Sequence, residues 1–142
     1  MLSMRILGID YGDARIGTSV CDELQTMAHP LKTYKSESMR KNIDTMSALA
    51  KSENAGLIVV GLPLNMDGSE GARASRCRKF AAFVKALSGL PTAVFDERMT
   101  TMTAARYLNE TNTRGKKRKT VIDTLSAQII LQNCLDRLKY MG

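Results

Sequence analysis

Residues 4–22, MRILGIDYGDARIGTSVCD, decide the architecture. MRILGID has the apolar content of a strand, YGDARIG is a turn-rich connection, and IGTSVCD reads as a second strand. So short a link predicts an antiparallel hairpin. Its first strand closes on an acid, Asp10, beside the turn at Gly12. After Pro30, LKTYK (31–35) adds a plausible third strand.

Beyond this hairpin the period changes from Ser38 to about Glu53, where Met39, Ile43, Met46 and Leu49 or Ala50 fall on one helical face. GLIVVGLPL (56–64) is a continuous apolar run, which suits a central strand buried on both faces. A loop, NMDGSEG, leads to a helix from about Gly71 to Ser88. Its stripe is Cys77, Phe80, Ala81, Val84 and Leu87, with Arg73, Arg76 and Lys79 largely off it. PTAVFDE (91–97) is the next strand, TTMTAARYLNE (100–110) a short helix, and TNTRGKKRK (111–119) a basic loop. A final helix runs from about Thr120 to Lys139. The expected fold is α/β: a five-stranded mixed sheet, its first three strands antiparallel and the rest parallel, with helices on both faces. One domain is expected to span residues 1–142.

The composition agrees. With 142 residues and 44% apolar content, the chain can bury a real core. It has no apolar run of about 18 residues or more, so no membrane span or membrane partner is expected. The opening residues read as a strand rather than a signal peptide, which implies a cytoplasmic protein. Both a monomer and a homodimer remain open. Cys21, Cys77 and Cys134 are far apart and lack CxxC spacing, which argues against a zinc site or a disulfide framework. Cys77 and Cys134 read as small core residues, the nine methionines as core filler, and His29 as a loop residue rather than a catalyst. The formal charge of +7 points to a polyanionic partner, nucleic acid first. Five of the six residues from Arg114 to Lys119 are basic. They form either a solvated loop or a phosphate clamp. With so few aromatics, recognition by backbone and shape is expected to outweigh base stacking.

Three acidic positions converge on this reading. Asp10 ends the first strand, and Asp96 and Glu97 end the last. Ligand sites in such sheets gather at the carboxyl ends of parallel strands. Asp123 shares a helical stripe with Ala127, Ile130, Leu131 and Cys134, although Thr120 and Asp123 also have the form of a capping box. Clustered carboxylates suit Mg²⁺ or Mn²⁺, and two such ions can serve phosphate-ester hydrolysis, one activating water and the other stabilising the leaving oxygen. Side chains alternate along a strand, so Asp96 and Glu97 should face opposite ways, and the longer Glu97 is the better candidate for a direct ligand.

Four segments in order, GIDYGDARIG, VVGLPLNMDGSEG, DERMTT and VIDTLSAQIILQNCL, cover nearly the whole chain and resemble the YqgF family of pre-16S rRNA nucleases and Holliday-junction-resolvase-like proteins. The resemblance implies a ribonuclease H-like fold and a metal-dependent nuclease acting on structured nucleic acid. The substrate would be the 16S rRNA precursor, with its 5′ end the foremost target, or branched DNA. It implies that Asp10, Glu97 (with Asp96 beside it) and Asp123 are the acidic positions. A non-catalytic nucleic-acid-binding module is the rival. A nucleotide-binding relative of sugar kinases and actin ranks last, because the chain is too short for a second domain closing over ATP. One departure stands out. In related resolvases the middle acid lies on the strand that here reads LIVVGLP and has none, so DER one strand later stands in. Ser126 and Ala127 stand where two alanines are expected. Arg15 is read as a phosphate contact or a partner of Asp13 or Asp22. Arg98 is read as a phosphate ligand or one half of an internal ion pair, and Lys116, Lys117, Arg118 and Lys119 as phosphate contacts. Gly12 and Gly17 are expected to permit tight turns beside Asp10.

Overall fold

A computed structural model describes residues 4–97 and 117–140, with side chains in the last helix described from 125 to 138. The short helix expected at 100–110, Arg98 and Lys116 lie outside the described residues.

The elements follow the expected order: β1 (Arg5–Tyr11), β2 (Arg15–Cys21), β3 (Ala28–Lys35), α1 (Met39–Ser52), β4 (Ala55–Leu62), α2 (Ala72–Ser88), β5 (Thr92–Asp96) and a last helix, here α3 (Lys117–Tyr140). The sheet order is β3-β2-β1-β4-β5. β1, β2 and β3 pair antiparallel, while β4 lies parallel to β1 and β5 parallel to β4. β1 is therefore the middle strand and β5 an edge.

Alternation along the strands divides two layers. Leu7, Ile9, Ile16, Ile58, Val60 and Leu62 face α1 and α2, together with Met46, Phe80 and Val84. Ile6, Cys21 and Val59 face α3, where Ile130, Leu131 and Leu135 cover them. Ser38 caps α1 by accepting a hydrogen bond from the Lys41 N–H. Gly89, in the left-handed conformation at φ 72°, ends α2. Gly8 lets α3 come close. A Cβ there would stand 2.6 Å from Ser19 Oγ and 2.9 Å from Leu131 Cβ. Ser19 Oγ in turn donates to the Ala127 carbonyl at 2.8 Å. Gln132 accepts from the Ala28 N–H and Gln128 donates to the Ala28 carbonyl, so α3 is tied to the start of β3 by amide side chains that hydrophobic patterning gives no sign of.

Several expectations need correction. β3 starts at Ala28, so His29 is a strand residue opposite Val20 rather than a loop residue. Pro30 is tolerated because β3 is an edge strand. Gly17 sits inside β2 opposite Asp10 and makes no turn there. Leu87 is 53% exposed, because α2 turns that position away from the sheet towards a groove shared with Met39 and Ile43 of α1. Met46 is core, but Met66 is almost fully exposed in the loop after β4. Cys21 and Cys77 are buried, as small core residues should be, while Cys134 is only partly so.

Candidate active site

The site begins with parity. Leu7 and Ile9 face α1 and α2, so Asp10, at even spacing from Ile6 and Gly8, belongs to the α3 face. On β5, Val94 packs against the α1–α2 layer and Phe95 against the α3 layer. Asp96 therefore falls on the first face and Glu97 on the second. The Glu97 N–H donates to the Leu62 carbonyl at 3.2 Å, so the chain is still held against β4 where the strand ends.

Asp10 and Glu97 come from strands separated by β4, roughly 10 Å apart across two strand spacings. Gly61 bridges that gap by having no side chain. A Cβ at Gly61 would stand 3.0 Å from both Cγ and Cδ of Glu97 and would run into Ile130 Cδ1. The Glu97 side chain thus lies over the bare position on β4, leaning towards Asp10. The strand that carries no acid supplies the space for one from its neighbour.

The electrostatics follow from this placement. The Glu97 carboxyl is pushed up to about 7, first by burial and then by the charge of Asp10, with Asp96 adding a little and Arg73 opposing. Arg73 Nη2 stands 3.9 Å from Asp10 Oδ1. Arg76 holds Asp13 through Nη2 at 3.1 Å and 3.3 Å from its two oxygens. These two arginines of α2 therefore reach the carboxyl edge of the sheet. The amphipathic pattern assigned them to a solvated face, and nothing in one-dimensional spacing shows that α2 starts level with the ends of β1 and β4. The Cys77 thiol beneath them, pushed up to about 11 chiefly by burial, is not a nucleophile.

The α3 register places position 123 at the same edge. Ala127 lies over Gly8, and Leu135 lies towards the start of β1 with Ile6 and Cys21, so α3 runs antiparallel to β1. Gly8 lies between the Ala127 carbonyl and Leu131, so position 123, one helical turn before Ala127, falls beyond Gly8 towards the carboxyl edge, and its side chain lies outside the described residues. The helix begins at Lys117, so Thr120 is inside it and not at its cap. Lys117, Arg118 and Lys119 accordingly form the first turn of α3 rather than part of a loop.

Arg15 is exposed at the start of β2, opposite Lys35 and on the α3 face. Its two suggested acidic partners are engaged elsewhere, Asp13 by Arg76 and Asp22 by the N–H and hydroxyl of Thr26. The loop after β4 is braced at its tip. The Asn65 carbonyl accepts from the Gly68 N–H, its N–H donates to the Ser69 carbonyl, and Asp67 accepts from the Ser69 N–H and hydroxyl.

Among the described residues no three His, Cys, Asp or Glu side chains converge as a metal cage. The donor set present nevertheless fits a hard divalent cation. Two carboxylates share one face and one edge, and the charge of one disfavours ionisation of the other.

The model of the RuvX family, described as a Holliday junction resolvase, matches residues 4–137. The chain belongs to the RuvX family. Curated relatives are similar to this RuvX chain along nearly its whole length. One from Rhodopirellula baltica, named "Putative pre-16S rRNA nuclease", is 39% identical over 138 residues, which cover 97% of this chain and 80% of the relative. A relative of the same name from Endomicrobium trichonymphae is 44% identical over 133 residues, covering 93% and 95%. Among solved structures, Thermus thermophilus RuvC bound to a Holliday junction superposes with a TM-score of 0.63 at 14% identity, over 98% of both chains. Fowlpox virus resolvase bound to Holliday junction DNA gives 0.51 at 12%, over 97% of both. Such low identity speaks for the fold alone, and that fold is ribonuclease H-like, as the four segments implied.

Proposed function

We propose that this RuvX protein is a divalent-metal-dependent nuclease that hydrolyses phosphodiester bonds of structured nucleic acid, foremost the 5′ end of the 16S rRNA precursor in the cytoplasm. The observation that carries the reading is the meeting of Asp10 and Glu97 across Gly61 on the α3 face of the sheet's carboxyl edge. The name of the relatives supports the 16S rRNA precursor as the substrate.

Asp10 and Glu97 would hold Mg²⁺ or Mn²⁺, with Asp123 as the third ligand. The ion, when bound, supplies Lewis acidity and lowers the pKa of water. The chain's own residues do the rest. Burial around Glu97 thins the water near the reacting bond and strengthens every charge there. Arg15 and the basic run that enters α3 draw the phosphate backbone to an edge whose acids would otherwise repel it. Asp96, on the opposite face, is no ligand and steadies the strand end. Arg98 is a further phosphate contact in this reading.

The family description itself favours a second reading, cleavage of branched DNA. One experiment separates them. Labelled 16S precursor RNA and a four-way DNA junction are incubated with the protein in Mg²⁺, Mn²⁺ or EDTA. Cleavage of the RNA alone, abolished by EDTA, supports the first reading. Cleavage of the junction alone supports the second. Binding without a cut in either would leave a non-catalytic module.

A further inference from the structure

Arg73 is the cation that α2 sets against the acidic pair. The helix begins at Ala72, after the loop that leaves β4, so its first turn sits at the carboxyl edge. From there Arg73 Nη2 approaches Asp10 Oδ1 to 3.9 Å, and its charge also reaches Glu97. One turn later Arg76 grips Asp13 at 3.1 Å. α2 itself is held on the sheet by buried Cys77, Phe80 and Val84, so Arg73 is delivered to Asp10 by an anchored helix. The pair is nevertheless loose. The Asp10 side chain is 18% exposed and that of Arg73 51%. A half-exposed ion pair at this separation exchanges partners at little cost.

We propose that Arg73 is a counter-ion of Asp10 and Glu97 that an incoming divalent cation displaces and that then engages a phosphate of the nucleic acid. The inference rests on the nuclease reading and adds a residue to it. With no ion bound, the guanidinium offsets part of the repulsion between the two carboxylates. A divalent cation on the same carboxylates repels the guanidinium, and the half-exposed side chain turns outward. Its planar fork matches a pair of phosphate oxygens. Metal and Arg73 therefore compete for the acids, whereas metal and nucleic acid cooperate: the ion releases Arg73 for phosphate, and phosphate holds Arg73 off the acids.

The test titrates the full chain with Mn²⁺ alone, following free Mn²⁺ by electron paramagnetic resonance. Arg73→Gln should tighten Mn²⁺ binding by about fivefold or more. Arg73→Lys, which keeps the charge, should stay within about twofold of the wild type. Glu97→Gln should lose most of the binding. In a second readout, a fluorescein-labelled RNA hairpin is titrated in Ca²⁺. Arg73→Gln should weaken its binding and reduce the salt slope by about one. Unchanged or weaker Mn²⁺ binding in Arg73→Gln, with binding abolished in Glu97→Gln, overturns the counter-ion and leaves the nuclease reading standing. Equal tightening in Arg73→Lys and Arg73→Gln would assign the effect to bulk rather than charge and also overturns it. Mn²⁺ binding that ignores Glu97→Gln, or no Mn²⁺ binding by any of the proteins, overturns both.

Discussion

At Glu97, burial and the charge of Asp10 hold the carboxyl near 7 rather than its ordinary 4.5. Between those two values the folded protein keeps a proton that the unfolded chain has released. Stability of the metal-free protein is therefore highest below pH 4.5 as far as this group is concerned, and its contribution falls as pH rises towards about 7. In EDTA, melting temperature should decline across that window in the wild type and decline less in Glu97→Gln. Parallel curves would remove Glu97 as the cause. The same residue decides an order of activities. Because Asp96 faces the α1–α2 layer and Glu97 the α3 layer, Glu97→Gln should cost far more turnover than Asp96→Asn, and the reverse order would put the ligand on the other face. Asp10→Asn should abolish cleavage while leaving the circular dichroism spectrum intact, since Asp10 sits at the end of β1 and outside both hydrophobic clusters. Strand parity, which separates the adjacent acids, was legible in FDE alone. The role of Gly61 was not, because a glycine in an apolar run carries no mark of what will lie over it.

At the scale of elements, α3 is the helix on which both core and site depend. Gly8→Ala would press a methyl group onto Ser19 Oγ, Leu131 Cβ and, at 3.3 Å, the backbone carbonyl of Ala127. Such overpacking should cost about 1–3 kcal/mol in denaturant unfolding. A neutral outcome would mean that α3 is free to shift. Asp123 tests the same helix from the functional side. Thr120 lies within α3, so the capping-box geometry that competed with a ligand role is absent. In the ligand reading, Asp123→Asn should cut turnover sharply and leave melting temperature unchanged or raised, because repulsion among the acids of the site would be relieved. An active but less stable variant would restore the capping role. The stripe of Ala127, Ile130 and Leu131 foretells the face α3 buries. The helix nevertheless starts three residues before Thr120, because Lys117, Arg118 and Lys119 are equally good in a loop or a first turn until the sheet beneath is known.

Across the molecule, positive charge is spread along the carboxyl edge. Arg15 and Lys35 stand on one side, Arg73 and Arg76 on the other, and the basic run enters α3. Changing Lys116, Lys117, Arg118 and Lys119 together to Ala should weaken nucleic-acid binding across sequences. The slope of log affinity against log salt should flatten by roughly 0.7 to 0.9 for each phosphate that is no longer neutralised. The comparison surface is Arg73, Arg76 and Lys79. If only the triple Ala variant there loses affinity and salt slope, the groove runs along α2 and the basic run is solvated.

Periodicity, turn chemistry and composition act over a few residues, and they were enough to set the order of the described elements, the antiparallel opening and the faces of α1 and most of α2, and to nominate the acids. Three features came from the folded chain alone. β5 is an edge strand two places from β1, Gly61 lets Glu97 lean back to Asp10, and Arg73 and Arg76 turn towards acids more than 60 positions away in the chain. Those contacts join residues whose nearness arises only when parallel crossovers stack the strands, and no local pattern encodes that distance.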